Sequence, residues 1–144
     1  MKLASSTPDL LIYSSDLGYY VEELRRQYNG RKIITPDGYK ISFYLNQDVA
    51  CTHAICGKGK DKINYARAQR ITYIEFILMD DTVRVVRQDK ITNNICFVSR
   101  QHSYIVVCSV VRNKELKFIS QFYDQSRSNS YIDKFDDRSK YKYL

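Results

Sequence analysis

The window CTHAICGKGKDK, residues 51–62, places one histidine, two cysteines, two glycines and three lysines within twelve positions. Two kinds of chemistry suit those residue types. Cys51, His53 and Cys56 form a C-x-H-x₂-C spacing, but a structural zinc site needs four ligands converging tetrahedrally. No second paired knuckle follows, and Cys96 and Cys108 fall in strand-like apolar runs where a thiol packs as a small hydrophobe. No metal and no disulfide framework is expected.

The other chemistry is proton transfer beside a phosphate. Imidazole titrates close to neutrality, so His53 suits a general acid or base. Lys58, Lys60 and Lys62 follow in a glycine-punctuated loop that can approach a phosphate closely, and Arg67 and Arg70 extend the charge. Residues 57–70 carry five basic groups against the single acid Asp61. The N–H groups at the start of the next helix would also favour an anion. Residue types alone favour a plainer reading: a hydrogen-bonded histidine on a packed helix, then a solvated lysine loop. Ser120 lies in an apolar strand pattern with Leu116, Phe118 and Phe122, where a hydroxyl either bonds locally or faces a site. His102 sits in a tight link and reads as exposed.

These residues need elements to hold them. Residues 1–15 read as a loose arm that docks Leu10, Leu11 and Ile12. Ser14 or Ser15 suits the N-cap of a helix whose Leu17, Tyr20, Val21, Leu24 and Tyr28 recur at helical spacing until Asn29-Gly30. RKIIT and YKISFYL flank Pro36-Asp37-Gly38 as a hairpin. A short helix over 48–56, capped by Asn46, Gln47 or Asp48 and ended by Gly57, aligns Val49, His53 and Cys56. Arg67, Ile71, Ile74 and Leu78 predict one helix of about four turns. From residue 82 the period becomes that of strands, in TVRVVRQ, NNICFVSR, SYIVVCSVV and ELKFISQFY; the third, apolar on both faces, is central. A short helix at 131–135 precedes a fraying tail.

The expected fold is α+β: an N-terminal helix and hairpin, then two helices packed on an antiparallel four-stranded meander, then a short C-terminal helix. The chain reads as a single domain over 1–144, with a helix plus hairpin at 16–47, a core at 48–123 and a tail at 124–144. Its 144 residues suit one hydrophobic core. An apolar fraction of 44% and an aromatic fraction of 13%, with 13 tyrosines, argue against disorder. The longest apolar run is too short to span a bilayer, so a cytoplasmic protein without a membrane partner is expected. A net charge of +7 makes nucleic acid the first partner to consider.

The order of the pieces adds a resemblance. His53 followed by Ala54-Ile55, the pattern from Arg67 to Leu78, the SYIVVCSVV strand and Ser120-Gln121-Phe122 together resemble the barnase, EndoU, colicin and RelE-like superfamily of metal-independent RNases. The likeness covers residues 49–123 and is nearest the small phage and bacterial toxin branches. It implies an endoribonuclease, free of cofactor, that cuts RNA by transesterification to 2′,3′-cyclic phosphate and 5′-hydroxyl ends. Carried over, His53 is general acid or base, Lys58 or Lys60 neutralises the scissile phosphate, Arg67 holds phosphate, and Ser120 positions phosphate or ribose. Lys62, Arg70, Tyr104 and Tyr123 are the accompanying RNA-binding candidates, with Tyr104 or Tyr123 as a proton donor where such sites often use a second histidine or acid. The implied partners are RNA, tRNA among the candidates, and an antitoxin or immunity protein in a bacterial host cell. The alternative is a non-catalytic phage- or bacteria-encoded inhibitor or RNA-binding accessory using the same basic surface.

Overall fold

A computed structural model describes residues 7–57, 61–124 and 130–144. The chain is α+β, with helices α1 (Leu17–Tyr28), α2 (Asp48–Cys56), α3 (Tyr65–Ala68), α4 (Tyr73–Met79) and α5 (Ser130–Asp133), the last continued by a 3₁₀ turn over Lys134–Asp136. The strands are β1 (Lys32–Ile34), β2 (Lys40–Ser42), β3 (Arg84–Asp89), β4 (Asn94–Ser99), β5 (Tyr104–Arg112), β6 (Glu115–Tyr123) and β7 (Tyr141–Tyr143).

The four-stranded meander is present as β3 to β6, but it is the middle of a larger mixed sheet of order β1-β2-β6-β5-β4-β3-β7. The hairpin joins through a parallel pairing of β2 with β6, Ile41 in register with Leu116. Both side chains are buried, and that burial draws a three-residue strand into the sheet. The tail, expected to fray, supplies β7, antiparallel to β3. β5 lies at the centre, as its two apolar faces predict.

α1 to α4 cover one face. Tyr20, Leu24, Ile55, Ile71, Ile74 and Leu78 pack there with Phe97, Val106, Cys108 and Phe118 from the sheet. Ile132 and Phe135 close the other face over Cys96, Val98 and Ile105. All four cysteines are free, buried thiols.

Local chemistry explains the elements and three departures from expectation. Asp16, rather than Ser14 or Ser15, caps α1 by accepting from the Gly18 N–H at 2.9 Å. The helix ends at Asn29-Gly30, where Gly30 has φ +80 and donates to the Phe43 carbonyl. In the arm, Leu11 packs on the core whereas Leu10 and Ile12 remain exposed. The expected four-turn helix is instead two short ones. In a continuous helix the Gln69 carbonyl would accept from Tyr73 N–H, but it accepts from Leu11 N–H of the arm at 3.0 Å, and Tyr73 N–H turns to Arg70. The Gln69 side chain returns a bond to the Leu11 carbonyl at 2.9 Å, so the arm pins the break.

Candidate functional site

α2 spans the expected residues but not with the expected face. Val49 is 79% exposed while Cys56 is buried, and His53 lies between them in exposure. Gln47 occupies the N-cap position without a side-chain bond, and Asp48 instead pairs with Arg25 at 2.5 Å. Gly57, at φ +104, ends the helix and donates to the His53 carbonyl at 3.0 Å.

Helix C-termini leave carbonyls that need donors, and at the end of α2 tertiary neighbours supply them. Arg67 Nη1 donates to the His53 carbonyl at 3.2 Å, placing a guanidinium at the negative end of the helix. Gln121 Nε2 donates to the Ala54 carbonyl at 2.9 Å and to the Arg67 carbonyl at 3.1 Å. Asn64 N–H reaches the Ile55 carbonyl at 3.4 Å, and the Asn64 side chain accepts from Arg67 N–H to cap α3. α3 is four residues long and capped in this way, so its N–H groups are no anion cradle.

Strand β6 reaches this helix end because its pairing with β2 stops at Lys117. Further along, its register with β5 shifts: Val107 pairs with Ser120 while Cys108 pairs with Phe118, leaving Ile119 as an inserted residue. Leu116 and Phe118 therefore face the helices, whereas Ser120 and Phe122 follow Val107 toward the other face. The expected common line of these four side chains is broken. Ser120, almost fully buried, brings its Oγ to 3.5 Å from the His53 carbonyl, the outer limit of a hydrogen bond. The Arg67 guanidinium lies 5.2 Å from the centre of the Phe122 ring.

His53, Arg67 and Ser120 thus meet, but at the backbone oxygen of residue 53. Arg70 stacks over Tyr123 at 3.8 Å and donates to the Ala66 carbonyl, ring and cation both being half-buried. Lys62 is exposed. Lys58 and Lys60 lie outside the described residues. Tyr104 is fully buried and donates its hydroxyl to Gln121 Oε1; burial raises its pKa well above that of an ordinary phenol, which makes it a packing residue rather than a surface donor. Burial also pushes the Cys56 thiol up, with Arg67 pulling the other way. His102 is not simply exposed: its ring centre lies 5.1 Å from that of Phe76 and 6.4 Å from that of Tyr73.

The residue that sequence reasoning passed over is Gln121, which joins α2, α3 and β5. Its signal was a lone amide in the apolar run FISQFY, where a buried polar group must have partners. Among the described residues, no group of three or more His, Cys, Asp or Glu side chains could hold a metal ion. Among the same residues, no helix is long and apolar enough to cross a membrane. In comparisons with family models, curated proteins and solved structures, nothing matches this chain significantly.

Proposed function

We propose that this chain is a metal-independent endoribonuclease of the barnase, EndoU, colicin and RelE-like kind. The observation that carries the reading is the meeting of Arg67 and Ser120 at residue 53, positions far apart in sequence, at one end of a basic stretch. In the reaction the substrate 2′-oxygen attacks phosphorus as the P–O5′ bond breaks. The 2′-hydroxyl loses a proton and the departing 5′-oxygen gains one. The His53 imidazole serves one of those two transfers and water the other. Arg67, with Lys58 or Lys60, offsets charge on the phosphorane oxygens, and Ser120 orients the phosphate or ribose. Arg70 on Tyr123 offers a cationic, aromatic platform for a neighbouring nucleotide. A restraining antitoxin or immunity protein in a bacterial cytoplasm belongs to the same reading.

A second reading, a non-catalytic RNA- or acidic-protein-binding module, draws on one observation. Arg67 and Ser120 approach the carbonyl of residue 53, a contact that serves packing whatever the imidazole does.

Purified wild-type protein and His53→Ala, incubated with end-labelled RNA in EDTA, separate the two. Loss of general acid–base catalysis lowers cleavage by roughly 10²–10⁴-fold with unfolding midpoints unchanged, and the wild-type products carry cyclic phosphate ends. Equal cutting by well-purified His53→Ala sinks the nuclease reading. Wild-type protein that retards RNA without producing new ends supports the binding module.

A further inference from the structure

Away from residue 53, the β1–β2 turn, β3, β7 and the turn between β5 and β6 bound a cleft of about 420 Å³. Its lining includes Asp37, Tyr39, Arg84, Val86, Lys114 and Tyr143, none of them part of the site described above. The volume falls within the range of small-molecule sites.

Arg84 is the unusual member, a charged side chain only 4% exposed. Its Nη1 donates to the Leu78 carbonyl at 3.0 Å and its Nη2 pairs with Asp37 Oδ2 at 2.5 Å. Its Nε is buried and makes no hydrogen bond. A buried N–H without an acceptor is costly and asks for an explanation. The Nε–Nη2 edge is the one a guanidinium offers to a two-oxygen anion, and here only Nη2 is engaged, by a carboxylate that is 56% exposed. Lys114 stands alongside: its Nζ donates to the Asp37 backbone carbonyl at 2.8 Å and lies 5.2 Å from the Tyr39 ring centre. Arg87 and Arg138 lie against the Tyr143 ring at 3.3 and 4.9 Å. The lining therefore presents two cations and one acid, with Arg138 and Arg87, the latter paired with Asp136, behind an aromatic wall.

We infer that this cleft binds a phosphomonoester of nucleotide size. The phosphate takes the Nε–Nη2 edge of Arg84 together with the Lys114 ammonium, and Asp37 turns out to solvent as the anion enters. Two facing cations suit a dianion better than a carboxylate ligand, and the room beyond them, between Tyr39 and Tyr143, accommodates the sugar or base. Asp37 is then a resident competitor that holds Arg84 in place while the cleft is empty. This inference stands apart from the endoribonuclease reading.

Calorimetric titration of the full chain at low salt, with AMP, inorganic phosphate and adenosine as separate probes, tests it. AMP binds saturably at one site, inorganic phosphate more weakly, and adenosine not at all. Lys114→Ala weakens AMP roughly tenfold through loss of a charge-assisted contact. Asp37→Asn tightens it, because the competing carboxylate is gone. Thermal unfolding of each variant confirms the fold, and Arg84→Lys, which keeps the charge but loses the fork, weakens AMP without abolishing folding. Absence of saturable AMP binding in both the wild type and Asp37→Asn overturns the site. So does AMP binding that is indifferent to Lys114→Ala and Asp37→Asn. Inorganic phosphate binding as tightly as AMP overturns the nucleotide-size assignment.

Discussion

Ser120 and Phe118, two residues apart on one strand, face opposite sides of the sheet because the register of β6 shifts at Ile119. Were residues 118 to 120 all paired in simple alternation, with none inserted, the hydroxyl would share the face of Phe118 and point into the apolar layer beneath the helices. With Ile119 inserted, Ser120 stands beside the end of α2 and Gln121 turns inward to take the position under the helices. Deleting Ile119 removes the bulge yet leaves Ser120 opposite Val107, because the shortened strand then alternates regularly from Phe118 to Ser120. RNA cleavage by the deletion variant is expected to stay well above that of Ser120→Ala, measured on the same labelled substrate; a fall to the Ser120→Ala level would mean that the bulge itself positions the hydroxyl.

Gln121 carries a second expectation. Its one amide nitrogen serves the carbonyls of Ala54 and Arg67, so Gln121→Leu leaves buried acceptors unmet. Urea unfolding should show a loss of about 2 kcal/mol, within the usual cost of such groups. Cleavage should fall as well, since the Ala54 end of α2 and the backbone of Arg67 lose their shared anchor. An unchanged midpoint would mean that these bonds do not hold the helix end.

The two tyrosines at the head of the meander should behave differently. Tyr104→Phe removes only the buried bond to Gln121, costing ~1 kcal/mol of stability, and leaves RNA affinity as it was. Tyr123→Ala removes the ring on which Arg70 rests and should weaken RNA binding roughly tenfold, the scale of one lost stacking contact. Fluorescence anisotropy with a labelled oligonucleotide at fixed salt distinguishes them; equal effects of both changes would contradict the placement of Tyr104 in the interior.

Much of this arrangement was readable from residue types. Helical spacing located α1, α2 and the stripe Ile71, Ile74 and Leu78, and alternation located the four long strands. Pairing was not readable for β2 and β7, each three residues long, because so few side chains show alternation but not which neighbour will accept it. The break between α3 and α4 was hidden for another reason: it is made by Leu11 of the arm, a contact between distant residues that no local pattern encodes. At the site, His53, Arg67 and Ser120 could be picked out as types. Their meeting through a carbonyl depends on where a helix ends and where one strand slips, and neither changes the types of residue present.

Alkaline stability follows from the buried acids of the core. Burial pushes the Cys96 thiol up to about 12 and raises Cys108, Tyr28 and Tyr104 as well. Each is held neutral in the fold and ionises more readily once unfolded. Their contribution is complete below the unfolded pKa values, about 8.5 for cysteine and 10 for tyrosine, and declines as pH rises beyond them toward the folded values. Thermal midpoints should be level near neutrality and fall above about pH 8.5. Cys96→Ala should flatten the first part of that fall, and a flat profile to pH 11 would contradict it.

The far side of the sheet has its own test. Phe135 is nearly fully buried over β4 and β5 and packs on Tyr141 with ring centres 4.8 Å apart. Phe135→Ala should cost about 3–5 kcal/mol, as for other large-to-small core changes. Hydrogen exchange should then quicken at β7 and β3 ahead of β1 and β2, since the lost ring packs on Tyr141 of β7 and the Phe135 carbonyl accepts from Arg87 of β3.

The parallel contact of β2 with β6 bears on how the molecule comes into being. During synthesis residues 40–42 emerge long before residues 115–117, so the first hairpin must wait, with one edge of β2 open, until most of the chain has been made. The edge of β3 waits later still, for residues 141–143. Closing such long loops precedes any gain from the contacts, which slows folding and prolongs exposure of unpaired strands. A nascent chain halted before β6 would therefore present an open edge to its neighbours, and its yield would depend on how quickly translation carries it past that point.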